Sequence, residues 1–408
     1  MLNLINTLSI QSNNMERIIK LSEQKLKQLK SNFKRYLFSQ IDWKSNLIII
    51  TGARGTGKTT MLLQKMEIQK KESIYLSLDD FYFETNRLLL CIEELYNKGY
   101  RYFFLDEIHQ YEHWSIDLKN IYDNYKDIQV IATGSSVLKI YQGQADLSRR
   151  ADLYLLKGLS FREYLDLHHN IKFDTFPLEM ILNKHTEISI EFTDKIDVLK
   201  YFREYLQIGY YPFSIENKYK YHQRLQQIVH LILDIDIQAV ELVNYSTIRS
   251  MKKLLYLLSQ MVPFMPNIQS LAEKVGTSRI SILKALDLLE RAQILNLLRA
   301  NNQGISILQK PEKIYLENTN LAYIYSGNQP NIGNLRETFF FNQLNVGHNI
   351  IAAKYGDFFV DSQYTFEVGG VGKSTHQIDG VPLAFIVADG IEHGVQNKIP
   401  LWLFGFLY

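Results

Sequence analysis

Cysteine is nearly absent: Cys91 is the only one in 408 residues. A single thiol excludes an intramolecular disulfide and a cysteine-based zinc site, and it fits a reducing, cytoplasmic setting. Its expected place is a small apolar position on a helix. Long apolar runs are missing as well. None approaches the ~18 residues of a membrane span. The opening MLNLINTLSIQSNN also lacks the basic start and small-residue cleavage site of an export signal, so neither export nor a span is expected. Charge excess is missing too. The formal net charge is +2, which gives no global attraction to nucleic acid and leaves any such binding to local patches. Metal-ligand spacing is scarce: His109 and His113 stand four apart, but HQYEH lacks the glutamate that follows the first histidine in H-E-x-x-H, so a turn or surface role is preferred.

What is present describes a folded chain, with 46% hydrophobic and 22% charged residues. A chain this long implies roughly two to four domains. The most specific stretch is LIIITGARGTGKTTMLLQKM, Leu47 to Met66. Gly52, Gly57, Lys58 and Thr59 fill the G-x-x-x-x-G-K-[ST] pattern, and Ala53, Arg54, Gly55 and Thr56 complete a loop set between a strand and a helix. Glycines let successive backbone N–H groups converge on phosphate oxygens, and the helix that follows adds its positive end. Lys58 is expected at the β- and γ-phosphates of ATP and the Thr59 hydroxyl on Mg²⁺, with Thr60 as the backup.

Beyond this loop, strand-type runs alternate with helical stretches: SIYLSL at 73–78, YRYFFLDE at 100–107, IQVIATGSS at 128–136 and DLYLLKGL at 152–159. The alternation implies an α/β fold with a parallel sheet. Asp106 follows YFFL at a strand end, where a P-loop protein needs a carboxylate for its metal, and Glu107 beside it is placed to activate water. Asp79 and Asp80 also end a strand, but capping a helix is at least as good a reading for them. Upstream, Met15 to Arg35 reads as an amphipathic basic helix; a solvated face is preferred over a contact with nucleic acid or a partner.

TGARGTGKTT, YLSLDD, FFLDEIHQYEHW, VIATGSS and LSRRADLYLLKGLSFREYL together resemble prokaryotic AAA-type ATPases of the kind that carry a winged helix and a C-terminal domain of unknown function, over Ser45 to Tyr408. The resemblance implies that the IATGSS strand lies between the P-loop strand and the Asp106 strand, with Thr133 and Ser135 as polar sensors of the γ-phosphate; a plain strand-end turn is the alternative. It also implies that Arg149 or Arg150 reaches a neighbouring subunit's nucleotide in a homo-oligomer, against which stands a solvated charge pair.

Residues 161–246 have helical periodicity and read as a lid and connector without a catalytic pattern. At 247–305, NIQSLAEKVGTSRISILKALDLLERAQILNLLRA has the shape of a winged helix-turn-helix, with Leu283, Leu286 and Leu289 inward and Ser278, Arg279, Ser281 and Lys284 near the exposed start of the second helix. DNA contact and a protein-binding role both stay open. Few basic residues on that face mean that DNA binding, if made, is weak, salt-dependent and non-specific.

The last stretch, 306–408, has a helix at LRETFFFNQL, a hairpin at GDFFVDSQYTFEVGG, and later strands at PLAFIVAD and PLWLFGFLY. A three-residue turn at 361–363 sets Asp357 opposite Glu367, as a Mg²⁺ site requires. The module looks like the PD-(D/E)xK restriction-endonuclease-like fold, with Glu337 as a third acid. That family's lysine position is Gly369 here, and Lys373 lies four residues further, so cleavage is expected to be weak or absent. The expected organisation is therefore a lead-in at 1–44, an ATPase core at 45–160, a connector at 161–246, a winged helix at 247–305 and a small α+β module at 306–408. The function expected is a Mg²⁺-dependent ATPase whose nucleotide state controls the winged-helix and nuclease-like modules, with DNA as a candidate substrate; the alternative is a slow ATP-dependent switch or scaffold that recruits protein partners without cleaving DNA.

Overall fold

Leu47 to Ile50 are apolar without alternation, the pattern of a strand covered on both faces. In the computed structural model, which describes residues 2–30, 32–135, 147, 149–240, 245–260, 266–300, 310–326 and 329–408, these residues form the fully buried strand β1, Leu47–Thr51. It lies in a five-stranded sheet with β2 (Ser73–Ser77), β3 (Tyr102–Asp106), β4 (Gln129–Gly134) and β5 (Asp152–Leu155), in the order β2-β3-β4-β1-β5. All of its pairings are parallel. β4 thus sits between β1 and β3, the order that the resemblance implied. The register sets Ile50 beside Thr133 and Ser77 beside Asp106, so the carboxyl ends of the strands share one edge, where ligands of open α/β sheets bind. Cys91 is buried in the helix Leu88–Asn97, and burial pushes its thiol up to about 12.

The chain forms two compact units, 1–157 and 158–408. In the first, the helix Leu2–Lys27 runs beside β2. Met15 and Ile18 are buried, and the Ser22 hydroxyl accepts a hydrogen bond from Tyr75 N (2.8 Å), which occupies part of an otherwise open sheet edge. This helix corrects the expected 15–35 span. Its last turn closes where Gln28 N donates to Gln24 O and Leu29 N to Leu26 O, and among the described residues no helix follows until Leu37. Phe33 O instead accepts from Gln64 Nε2 (2.8 Å), and Arg35 is 5% exposed, not part of a solvated face.

In the second unit, β8 (Ile350–Ala352), β9 (Phe358–Val360), β10 (Tyr364–Gly369), β11 (Ala384–Ala388) and β12 (Lys398–Pro400) form a sheet in the order β12-β11-β10-β9-β8. It is antiparallel from β8 to β10 and parallel from β10 to β12. A separate antiparallel pair joins β6 (Leu295–Leu298) to β7 (Lys313–Leu316). The strand expected at 400–408 is instead a 3-10 helix, Leu401–Phe406, with every residue buried. Pro400 ends the ladder because it lacks an N–H, and a run that is apolar at every position packs into a core on all sides.

That core also takes in helices from the stretch read as a lid and connector, 161–246. Phe161, Tyr164, Phe192, Phe202 and Tyr205 share one hydrophobic cluster with Phe339, Phe340, Phe366, Trp402 and Phe406. Helices Ile268–Val275 and Arg279–Arg291 meet at Gly276, whose φ of +82° forms the left-handed turn that glycine adopts without strain. Ser278 caps the second helix by accepting from Ser281 N (3.1 Å), and Leu283, Leu286 and Leu289 are buried beneath it. Ser136 and the expected boundary at 305/306 lie outside the described residues. Among the described residues no helix is long and apolar enough to cross a membrane.

His168 gives this unit a testable pH dependence. Its Nε2 lies 2.9 Å from the Ser214 hydroxyl, and burial, assisted by the Lys218 charge, holds the imidazole down to about 4. The unfolded chain takes up this proton near 6.5 and the folded chain only near 4, so stability is lost as pH falls through that window and levels off below it. Melting temperature should drop from pH 6.5 toward 4, and His168→Gln should flatten the drop. An unchanged slope in that variant would contradict the assignment.

Candidate functional site

The turn after β1 is built on close backbone approach. A Cβ at Gly52 would sit 2.3 Å from the carbonyl oxygen of Leu156, and φ there is +153°. Gly57, at φ +96°, hands the chain into the helix Lys58–Gln69. Lys58 is 5% exposed and its ammonium donates to Gly52 O (2.8 Å) and Ala53 O (2.9 Å). Thr56 Oγ1 donates back to Ala53 O (2.9 Å). Arg35 closes the loop from behind, donating to the carbonyls of Thr56 and Lys157. Because Thr56 O belongs to the Thr56–Gly57 peptide, this bond polarises the Gly57 N–H as well.

Asp106 ends β3 at 3% exposure, surrounded by hydroxyls. Thr59 Oγ1 (2.8 Å) and Tyr75 OH (2.9 Å) donate to Oδ2, and Thr133 Oγ1 and Glu107 N (3.2 Å) donate to Oδ1. Burial raises the carboxyl above the usual carboxylate range; the Thr133, Thr59 and Tyr75 hydrogen bonds pull the other way, and the Glu107 charge adds to the rise. Glu107 itself takes a left-handed φ of +51°, uncommon for a residue with a side chain and typical of functional sites. Its Oε2 accepts from the Ser135 hydroxyl (2.7 Å) and lies 3.3 Å from His109 Nδ1.

The structure therefore brings Lys58, Thr59, Asp106, Glu107, Thr133 and Ser135 to one strand edge. Thr60 follows Thr59 on the helix and is exposed. Asp80 accepts from Arg17 and from Tyr82 N (2.9 Å), so it starts a helical turn. Arg150 forks onto Asp123 (2.9 and 3.0 Å), and Arg149 is exposed. Arg35 and Tyr75 were not singled out from sequence. Arg35 reads there as one more residue of a basic stretch, and Tyr75 as one more apolar strand position.

A second polar cluster forms in the other unit. The β9–β10 register pairs Phe358 with Phe366, and continuing it sets Asp357 opposite Glu367, as counted. Val368 N donates to Asp357 Oδ2 (2.8 Å). Glu367 is 1% exposed; one of its oxygens pairs with Lys373, and among the described residues the other, Oε2, has no hydrogen-bond partner. The Lys373 side chain lies over Gly369, where a Cβ would come within 2.7 Å of it. The missing side chain at 369 is what lets Lys373 fold back. Sequence reading missed Lys313 on β7, whose ammonium lies 2.7 Å from Asp357 Oδ1 and 3.0 Å from Glu337 Oε2. A lysine alternating with Tyr315 on one face of an otherwise apolar strand was the available signal. Burial would lower the Lys313 ammonium, but the Glu337 and Asp357 charges outweigh it and hold it raised. Burial first, then the Asp357 charge, raise both Glu337 and Glu367. Among the described residues no group of three or more His, Cys, Asp or Glu is arranged to hold a metal ion.

With this geometry in view, comparison with known proteins gives two family matches: residues 44–165 match the AAA domain family, and residues 199–331 match a domain of unknown function (DUF8612). Residues 44–165, most of them in the first unit, are thus similar to AAA-type P-loop domains. The chain is 31% identical over 269 residues to the uncharacterized protein MJ1637 of Methanocaldococcus jannaschii, a match covering 62% of this chain and only 56% of that relative. Among solved structures, it is similar to the Walker-type ATPase PABY2304 of Pyrococcus abyssi at 11% identity and a TM-score of 0.42, over 72% of this chain and 96% of that one. The RuvB Holliday junction branch migration motor of Thermotoga maritima follows at 13% identity and 0.31, over 70% and 89%.

Proposed function

We propose that the first unit is a cytoplasmic Mg²⁺-dependent ATPase whose nucleotide state governs the C-terminal elements, a winged helix-turn-helix at 247–305 and a restriction-endonuclease-like module at 306–408. The observation that carries this is the convergence of Thr59 and Thr133 on Asp106 at the mouth of the Gly52–Thr60 loop, with Glu107 next in the chain. The donor set fits the group it would take. Hydroxyl and carboxylate oxygens suit a hard divalent cation, and a loop whose glycine leaves no room for a Cβ suits close approach to phosphate.

Thr59 and Asp106 would hold Mg²⁺, which when bound supplies electrostatic stabilisation of the phosphate oxygens. Lys58 exchanges the Gly52 and Ala53 carbonyls for the β- and γ-phosphate oxygens of ATP. Glu107 accepts a proton from water as the water oxygen bonds to the γ-phosphorus and the bond to the bridging oxygen breaks, leaving ADP. Thr133 and Ser135 face the γ-phosphate and orient these carboxylates. Arg149 is the better placed of the adjacent arginines to reach a neighbouring copy in a homo-oligomer, since Arg150 is engaged with Asp123.

One observation favours a second reading, a slow switch that recruits protein partners. The Glu107 carboxylate is tethered through Oε2 to Ser135, which restricts how its other oxygen can turn toward water. Steady-state phosphate release with and without duplex DNA, at low and moderate salt, separates the two. Turnover that DNA stimulates and salt suppresses supports an ATPase whose exposed Arg279 and Lys284 meet phosphate backbones weakly and without sequence preference. Less than about one turnover in several minutes, unmoved by DNA, supports the switch.

A further inference from the structure

We propose that Lys313 is a built-in competitor for a divalent cation held by the two carboxylates Asp357 and Glu367, keeping that site closed while its ammonium stays on Asp357 and Glu337. The inference rests on reading 306–408 as a nuclease-like module and adds how its metal site is controlled.

A single ammonium serves both Asp357 (2.7 Å) and Glu337 (3.0 Å), with the side chains of the lysine and of both acids at most 21% exposed. Asp357 has its other oxygen taken by Val368 N, so Lys313 holds the oxygen that a cation would use. Glu367, opposite Asp357 across the hairpin, keeps a buried oxygen without a partner among the described residues. A buried acceptor left in this way is costly, and native proteins retain one where a ligand or a functional role accounts for it. A cation taken up between Asp357 and Glu367 would supply that partner, and it would repel the Lys313 charge beside it.

Lys313 opens β7 and is less buried than Ile314, Tyr315 and Leu316, which follow it into the core, so its side chain can turn away while the strand stays. β7 pairs with β6 in a two-stranded sheet and is not a strand of the sheet that carries Asp357 and Glu367. Tyr315, two residues on, also donates to Glu337 (2.7 Å), so the same face of β7 covers this acid twice.

The test is Mn²⁺ binding to the full chain without nucleotide, followed by titration calorimetry and by the Mn²⁺-induced rise in melting temperature. Lys313→Gln keeps amide donors for both carboxylates and removes the charge; Lys313→Met removes both. Each is expected to bind Mn²⁺ at least tenfold more tightly than the wild type, and adding Glu367→Ala should abolish the gain. Lys313→Arg should bind as the wild type does. If Glu367→Ala weakens Mn²⁺ binding in every background but Lys313→Gln brings no gain, the lysine does not compete and the metal site alone stands. If no variant binds Mn²⁺ in a Glu367-dependent way, both the competition and the nuclease-like reading fall.

Discussion

Glu107→Gln is expected to bind ATP as the wild type does and to release phosphate about 10²–10⁴-fold more slowly, the usual contribution of a positioned general base. The substitution is nearly isosteric, and its amide oxygen still accepts from Ser135, which donates to the carboxylate now (2.7 Å). Loop geometry and the Asp106 cluster are left alone, so only the proton acceptor is lost. Binding measured by calorimetry and turnover by phosphate release keep the two effects apart. Normal turnover in this variant would assign proton removal to another group. Loss of binding together with turnover would mean that Glu107 shapes the loop instead, which its left-handed backbone makes a fair question.

Gly52→Ala is expected to abolish nucleotide binding and to destabilise the first unit. The added Cβ would stand 2.3 Å from the Leu156 carbonyl oxygen and 3.3 Å from Thr56 Oγ1, on a backbone at φ +153°. The nearest obstacle is main chain, so relief requires the P-loop and the segment after β5 to separate. Overpacking of this kind typically costs about 1–3 kcal/mol. That separation would also strain the Arg35 bonds, which tie Thr56 to Lys157 from one guanidinium. A melt should show the loss in stability, and calorimetry with ATP and Mg²⁺ the loss in binding. Gly347→Ala is the control, since a Cβ there meets nothing within 4 Å and its backbone lies outside the left-handed region. Retained affinity in Gly52→Ala would mean that the loop opens far more cheaply than its contacts imply.

How much of this was legible depended on how local each feature is. The P-loop and the β3 acids are short contiguous patterns, and the fully apolar β1 announces a strand covered on both faces; these were readable. The pairing of Asp357 with Glu367 was readable because a tight hairpin fixes register by counting. Arg35 was not, because its partners lie 21 and 122 residues away and are backbone carbonyls, which carry no residue signature. Lys313 was missed for a similar reason, with its acids 24 and 44 residues downstream on other elements. The run LWLFGF misled in another way. Aromatic and branched residues suggest a strand, but packing on every side in the core, with proline ending the ladder before it, selects a 3-10 helix. Likewise, helical periodicity identified the helices of 161–208 but could not say that they complete the core of 339–406.

Phosphate release from ATP by the full chain, measured beside Lys58→Ala, tests the central claim most directly. Expected is turnover by the wild type that requires Mg²⁺, stops on chelation, and is absent in Lys58→Ala, because in the proposed function the ammonium now held on Gly52 and Ala53 moves to the transferred phosphate. Equal release by the two proteins, or release by the wild type that chelation leaves unchanged, would contradict it.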